Sequence, residues 1–193
     1  MSLDHLWAGW RASYIASVTE PANTEGQEVA CSDDGAAGTA GAHAPTARGA
    51  EAECVFCRIL ASAEPDPVRH VVFQGELSVA VLNAYPYASG HLLVMPTRHV
   101  GEIEALGAEE SADLWRTARD AVVAVKAAYR PDGLNMGANL GRAAGAGIPG
   151  HLHLHVVPRW LGDTNFMTSV ASTRVLPEAL SDSWTKLRSA WPR

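Results

Sequence analysis

His151-Leu152-His153-Leu154-His155-Val156-Val157 alternates imidazole and aliphatic side chains over seven residues. In an extended strand successive side chains point to opposite faces, so His151, His153 and His155 share one face and Leu152, Leu154 and Val156 the other. The aliphatic face can be buried against a core while the other carries three imidazoles. At a rise near 3.3 Å per residue, neighbouring imidazoles lie about 7 Å apart, close enough to share a phosphate and its leaving oxygen. A solvated face of an amphipathic strand, or a set of metal ligands, is the plainer reading of the same alternation.

What precedes the strand favours the phosphate. Gly137, Gly141, Gly145, Gly147 and Gly150 crowd the approach to His151, and a glycine-rich loop lets backbone N–H groups come close to an anion. Further upstream, Val68 to Phe73 and Leu77 to Leu82 are β-prone runs separated by a tight turn, and His91 to Pro96 is a third, largely buried strand. Asn83 to Gly90 is a loop. Ala112, Trp115, Ala118, Ala121, Val122, Val125 and Tyr129 recur at three- and four-residue steps and predict a helix, stopped by Arg130-Pro131-Asp132-Gly133. Gly133 to Leu140 and His151 to Arg159 predict a fourth and a fifth strand, and Leu176 to Trp191 a second amphipathic helix with Pro177 near its first turn. The fold class expected is α+β: an antiparallel sheet of about five strands with a main packing helix and a C-terminal helix.

Composition narrows the function. The chain has 193 residues, 47% hydrophobic and 19% charged, which suffices for one soluble domain with additional segments. Its net charge of -6 is local, because the stretch from Glu20 to Glu53 holds seven acids against the single base Arg48 and the rest is balanced. A balanced folded part offers no broad basic face for nucleic acid. Residues 17–53 are mostly Ala, Gly, Thr, Ser, Pro and acids, and are expected to form a disordered linker. Residues 1–16, with Leu3, Leu6, Trp7, Trp10, Tyr14 and Ile15 at roughly helical spacing, are expected to dock as an arm. The start lacks the basic n-region and unbroken apolar run of a secretory signal. No stretch reaches the roughly 18 apolar residues of a bilayer-spanning helix. A cytoplasmic protein is expected, with reduced thiols. Cys31 is incidental, whereas Cys54-Val55-Phe56-Cys57 has the gap that lets two thiolates reach one zinc, a site that needs two more ligands. Two half-buried thiols without metal are the alternative.

The order His-φ-His-φ-His-φ-φ, with φ apolar, resembles the signature of the histidine triad (HIT) nucleotide hydrolases and transferases. Residues 135–151, with Asn139 and the glycine loop, and residues 158–166, with Trp160 and Gly162, are similar to the bacterial branch related to diadenosine tetraphosphate phosphorylases, also called ATP adenylyltransferases. Leu6-Trp7-Ala8-Gly9-Trp10-Arg11 resembles that branch's N-terminal arm. The resemblance runs from about Cys54 to Phe166, and implies a HIT-like domain over 54–170 with a C-terminal helical extension over 171–193.

The resemblance also assigns roles. It makes His153 the nucleophile that takes AMP from the α-phosphorus, His151 the residue whose backbone carbonyl fixes the His153 tautomer, and His155 the partner of the leaving or attacking oxygen. It matches Asn83 to the ribose hydroxyls, His91 to a strand histidine near the nucleotide, and Asn139, Gly145, Gly147 and Ile148 to the nucleotide-binding segment. It completes a structural zinc site of Cys54, Cys57, His99 and His151, with no organic cofactor. It further implies a dinucleoside polyphosphate substrate, inorganic phosphate as acceptor and a homodimer, with the segment after the triad helping to wall the substrate. Many relatives carry Gln where this chain has Gly147, and the change moves the chain toward the phosphorylase branch. Transfer to water, as in a hydrolase or phosphoramidase releasing AMP, and a sensor that binds without turnover both stay open.

Overall fold

The apolar runs pair into one sheet. The structure is a computed structural model that describes residues 54–163 and 178–192. The expected arm, the expected linker and residues 164–177 lie outside them. Strands β1 (Val71–Gln74), β2 (Ser78–Leu82), β3 (Leu92–Pro96), β4 (Gly133–Ala138) and β5 (Leu154–Arg159) form an antiparallel sheet in the order β1-β2-β3-β5-β4. The α-helices among the described residues are α1 (Val55–Ala61), α2 (Asp66–Arg69), α3 (Ala108–Tyr129) and α4 (Leu180–Ala190). The architecture is α+β, with five strands, a long packing helix and a C-terminal helix.

β2 and β3 are buried throughout, because both faces of the sheet are covered there, and apolar except at Ser78, whose hydroxyl is hydrogen-bonded to Asp113 and Thr117 of α3. On one face Val72, Ala80, Leu82, Leu92, Val94, Leu154 and Val156 pack against Leu114, Ala118, Ala121 and Val125 of α3 and Leu187 of α4. On the other, Val79, Val81, Leu93 and Met95 pack against Cys54 and Phe56 at the start of α1. α3 begins where Glu110 accepts the Gly107 N–H at 2.9 Å, and the Arg98 guanidinium holds the same carboxylate with two bonds of 2.8 Å. It ends at Arg130, whose left-handed φ of 47° turns the chain toward Pro131.

Several boundaries differ from the sequence reading. Val68 belongs to α2 and is exposed: Pro67 sits in the first turn of that helix, where its missing N–H costs nothing, and Arg69 ties the turn down through Asp66 at 2.6 Å and the Ile59 carbonyl at 3.0 Å. α3 starts at Ala108, a turn before its first counted apolar position. α4 starts at Leu180; Leu176 and Pro177 lie outside the described residues. α1 is not foreseen at all. The fifth strand begins at Leu154, because the Leu152 N–H bonds the Val100 carbonyl at 2.6 Å rather than a ladder partner. That bond carries residues 149–152 across the loop after β3. A Cβ on Gly101 would stand 2.7 Å from the Pro149 carbonyl oxygen, so only glycine allows this approach.

Candidate active site

The strand register brings the histidines together. Leu93 of β3 pairs with His155 of β5, and Ala138 of β4 pairs with Leu154, so the loop from Asn139 to His153 closes over the same end of the sheet. His151 and His153 are buried with 0% and 6% exposure, and His155 is half-buried. The side chains keep the expected alternation even where the ladder has stopped: Leu152, Leu154 and Val156 enter the α3 side of the core. His153 and His155 are closer than the 7 Å expected. Their ring centroids are 5.1 Å apart with the planes at 63°, an edge-to-face contact.

Each imidazole is oriented by an identifiable partner. The Nδ1 of His153 lies 2.8 Å from the backbone carbonyl of His151. A carbonyl only accepts, so Nδ1 carries the proton and Nε2 keeps its lone pair. The Nε2 of His151 lies 2.9 Å from the Pro96 carbonyl, which by the same logic leaves its Nδ1 as a lone pair. The Nδ1 of His155 lies 2.9 Å from Nε2 of His91, itself buried with 0% exposure. The Nδ1 of His91 in turn faces the Tyr87 N–H at 3.0 Å and the Asn83 amide nitrogen at 3.4 Å. Phe56 sets its ring at 5.2 Å from His153 and 5.5 Å from His151, and Tyr87 stacks on His155 at 5.8 Å. Sequence reading missed Phe56, Tyr87 and the Pro96 carbonyl. The signal for two of them was an aromatic between paired cysteines and an aromatic-rich loop ahead of a histidine strand.

Burial holds all three triad imidazoles below their ordinary pKa. For His155, burial and then the neighbouring His153 push it down to about 4. An imidazole in the unfolded chain titrates near 6.5, so between the two values the unfolded chain binds a proton that the folded chain refuses. This contribution to stability is fully present above about pH 6.5 and is lost as the pH falls toward 4. Thermal melts across that interval are expected to show a falling Tm, with a shallower fall for His155→Asn. Equal slopes for the two proteins would remove His155 as the cause.

A second cluster adjoins the first. Cys54 caps α1 and Cys57 lies in its first turn. Their sulfurs are 3.5 and 3.6 Å from the free Nδ1 of His151, and Cys57 is 3.3 Å from Nδ1 of His99. The four donor atoms all lie within 4.8 Å of one another. A tetrahedral zinc with Zn–S near 2.3 Å and Zn–N near 2.05 Å sets such S···N pairs roughly 3.5 Å apart. The donor set therefore fits a closed structural site.

The remaining expected residues fall around the triad loop. The Asn139 amide donates to the Gly145 carbonyl at 3.3 Å, and Gly141 and Gly145 take positive φ of 77° and 91°. Ile148 packs against the Phe56 side of the core. Gly137 sits inside β4 and not in the loop, because the β4–β5 ladder continues through its pairing with His155. Asn83 accepts the Tyr85 N–H at 3.0 Å, which shapes the loop before β3. After the triad, Arg159 grips Asp163 through two bonds of 2.5 and 2.6 Å, and Trp160 meets the Tyr129 ring edge-on at 6.2 Å. No helix among the described residues is long and apolar enough to cross a membrane.

Residues 66–160 match the HIT domain. An uncharacterized HIT-like protein of Saccharolobus solfataricus is 31% identical over 114 residues, which are 59% of this chain and 79% of that protein. The chain belongs to the HIT family. Among other HIT proteins, an AP-4-A phosphorylase of Mycobacterium tuberculosis is 47% identical over 123 residues, 64% of this chain and 63% of that protein. The chain thus spans just under two thirds of that relative's length. The crystal structure of a Zn-bound histidine triad family protein from Mycobacterium smegmatis shares the fold with a TM-score of 0.59 and 30% identity, covering 72% of this chain and 94% of that one.

Proposed function

We propose that this HIT protein is a nucleotidyltransferase that phosphorolyses diadenosine tetraphosphate to ATP and ADP through adenylyl-His153. The observation that carries the reading is the His153 tautomer: a proton held on Nδ1 by the His151 carbonyl leaves an uncharged Nε2 lone pair facing away from the backbone. In the first step Nε2 forms a bond to the α-phosphorus while the bond to the bridging oxygen breaks, and ATP leaves. In the second, an oxygen of inorganic phosphate attacks the same phosphorus, the P–N bond breaks, and ADP is released. The 47% identity to the M. tuberculosis phosphorylase supports phosphate as the acceptor. Gly147, where a glutamine amide is absent, agrees with it.

In this reading Asn83 binds the ribose hydroxyls, Asn139 with Gly145, Gly147 and Ile148 cradles the phosphates, and His155 faces the leaving oxygen. Trp160 forms part of the substrate wall. Zinc held by Cys54, Cys57, His99 and His151 supplies no step of the reaction and fixes the α1 end of the site. Reduced thiolates of this kind suit the cytoplasm. A homodimer is supported by β4, an edge strand that is largely exposed and carries Met136 at 46% exposure.

Product analysis after incubation with diadenosine tetraphosphate tests the acceptor. ATP plus ADP, formed only when inorganic phosphate is present, is the expected result. ATP plus AMP without phosphate would make the protein a hydrolase. No product would remove this substrate and leave the phosphoramidase and sensor readings.

A further inference from the structure

We infer that His91 is a positioning residue that locks His155 as a neutral hydrogen-bond donor, so that the site is matched to leaving groups that depart as anions. The inference rests on the AMP-transfer reading for its kinetic consequence, though not for its structural content. The chain of bonds starts at a group that cannot change its proton. The Tyr87 backbone N–H points at Nδ1 of His91 at 3.0 Å, and the Asn83 amide nitrogen lies 3.4 Å from the same atom. With N–H donors facing it, Nδ1 of His91 must be a lone pair, and the proton of the buried, uncharged ring sits on Nε2. That Nε2–H points at Nδ1 of His155 at 2.9 Å, which must then accept. The proton of His155 is thereby placed on its own Nε2.

The Nε2 of His155 is buried and meets no hydrogen-bond partner among the described residues. A buried donor of this kind costs free energy unless something arrives to accept it. An oxygen bearing developing negative charge is such an acceptor. A second proton on His155 would set two N–H groups against each other across the 2.9 Å contact, so the lock opposes the imidazolium form. His155 consequently offers a strong hydrogen bond and no full positive charge. That suffices for a polyphosphate, whose oxyanion is stable in water, and favours it over an amine or alkoxide, which must be protonated as it leaves.

Nitrogen-15 NMR of the histidine tautomers in the full chain tests the lock without any substrate. The unmodified protein is expected to show His155 and His91 as neutral rings protonated at Nε2. A His155 protonated at Nδ1, or a charged ring near neutral pH, would overturn the inference. His91→Gln, which keeps an amide donor near the position of Nε2, is expected to preserve the His155 tautomer. His91→Leu is expected to give a mixture. In kinetics, His91→Leu is expected to lower kcat by roughly 10²-fold with KM nearly unchanged, and His91→Gln to recover much of it. A rise in KM at constant kcat would instead assign His91 to substrate binding. A dinucleoside polyphosphate is expected to outpace an adenosine phosphoramidate; the reverse order would overturn the leaving-group argument. Absence of turnover on every substrate would sink the AMP-transfer reading and leave the NMR result standing by itself.

Discussion

His153→Ala is expected to lower the rate of diadenosine tetraphosphate cleavage by about 10⁴-fold or more, as removal of a nucleophile does where the covalent route has no substitute. The side chain is 6% exposed, so its loss leaves a small cavity beside Phe56 and a His151 carbonyl without its donor. Neither change breaks the bond from the Asn139 amide to the Gly145 carbonyl that shapes the far end of the same loop. Nucleotide affinity, measured by calorimetry with a non-hydrolysable dinucleotide, is therefore expected to stay within a few-fold of the unmodified protein. Rapid-quench experiments with radiolabelled substrate are expected to trap labelled protein in the parent and none in the variant. Retained turnover in His153→Ala would remove imidazole attack from the mechanism.

Metal removal is the second large effect. The purified protein is expected to contain about one zinc per chain, and chelation or Cys54→Ser to cost about 4 kcal/mol of stability. For a domain of this size that corresponds to a Tm lower by about 10 °C. The geometry predicts a further loss specific to catalysis. His151 faces the sulfurs through Nδ1, holds the Pro96 carbonyl through Nε2, and accepts the His153 proton on its backbone oxygen. Loosening its ring loosens the group that sets the nucleophile's tautomer. Elemental analysis, melting curves and kcat on the same samples separate the two effects. A metal-free protein with unchanged Tm would show that the four donors hold themselves in place by packing alone.

Periodicity made the sheet, the long helix and the facing of the histidines legible, because each depends on neighbours a few residues apart. The pairings that finish the site are not of that kind. His91 and His155 are 64 residues apart and meet because β3 and β5 are adjacent in the sheet, an adjacency no local pattern encodes. The departure of Leu152 from the ladder depends on a carbonyl at Val100. α1 left no amphipathic trace, since Phe56 is its single buried residue and seven residues are too few for a period to emerge. The metal-site residues were readable only as a resemblance: spacing joined Cys54 to Cys57, while His99 and His151 come from distant loops.

The two rims of the sheet are not alike. At β1, Trp184 and Arg188 of α4 donate to the Val71 and Val72 carbonyls at 2.7 and 2.6 Å, so two acceptors of that strand are held by the chain's own C-terminal helix. At β4 the outer backbone faces no further strand among the described residues. Among the described residues, then, the β4 rim is the one on which a further strand would meet no side-chain cap. Two copies meeting β4 to β4 would pair these two rims with each other and leave α4 against each β1, a closed arrangement in place of a growing one.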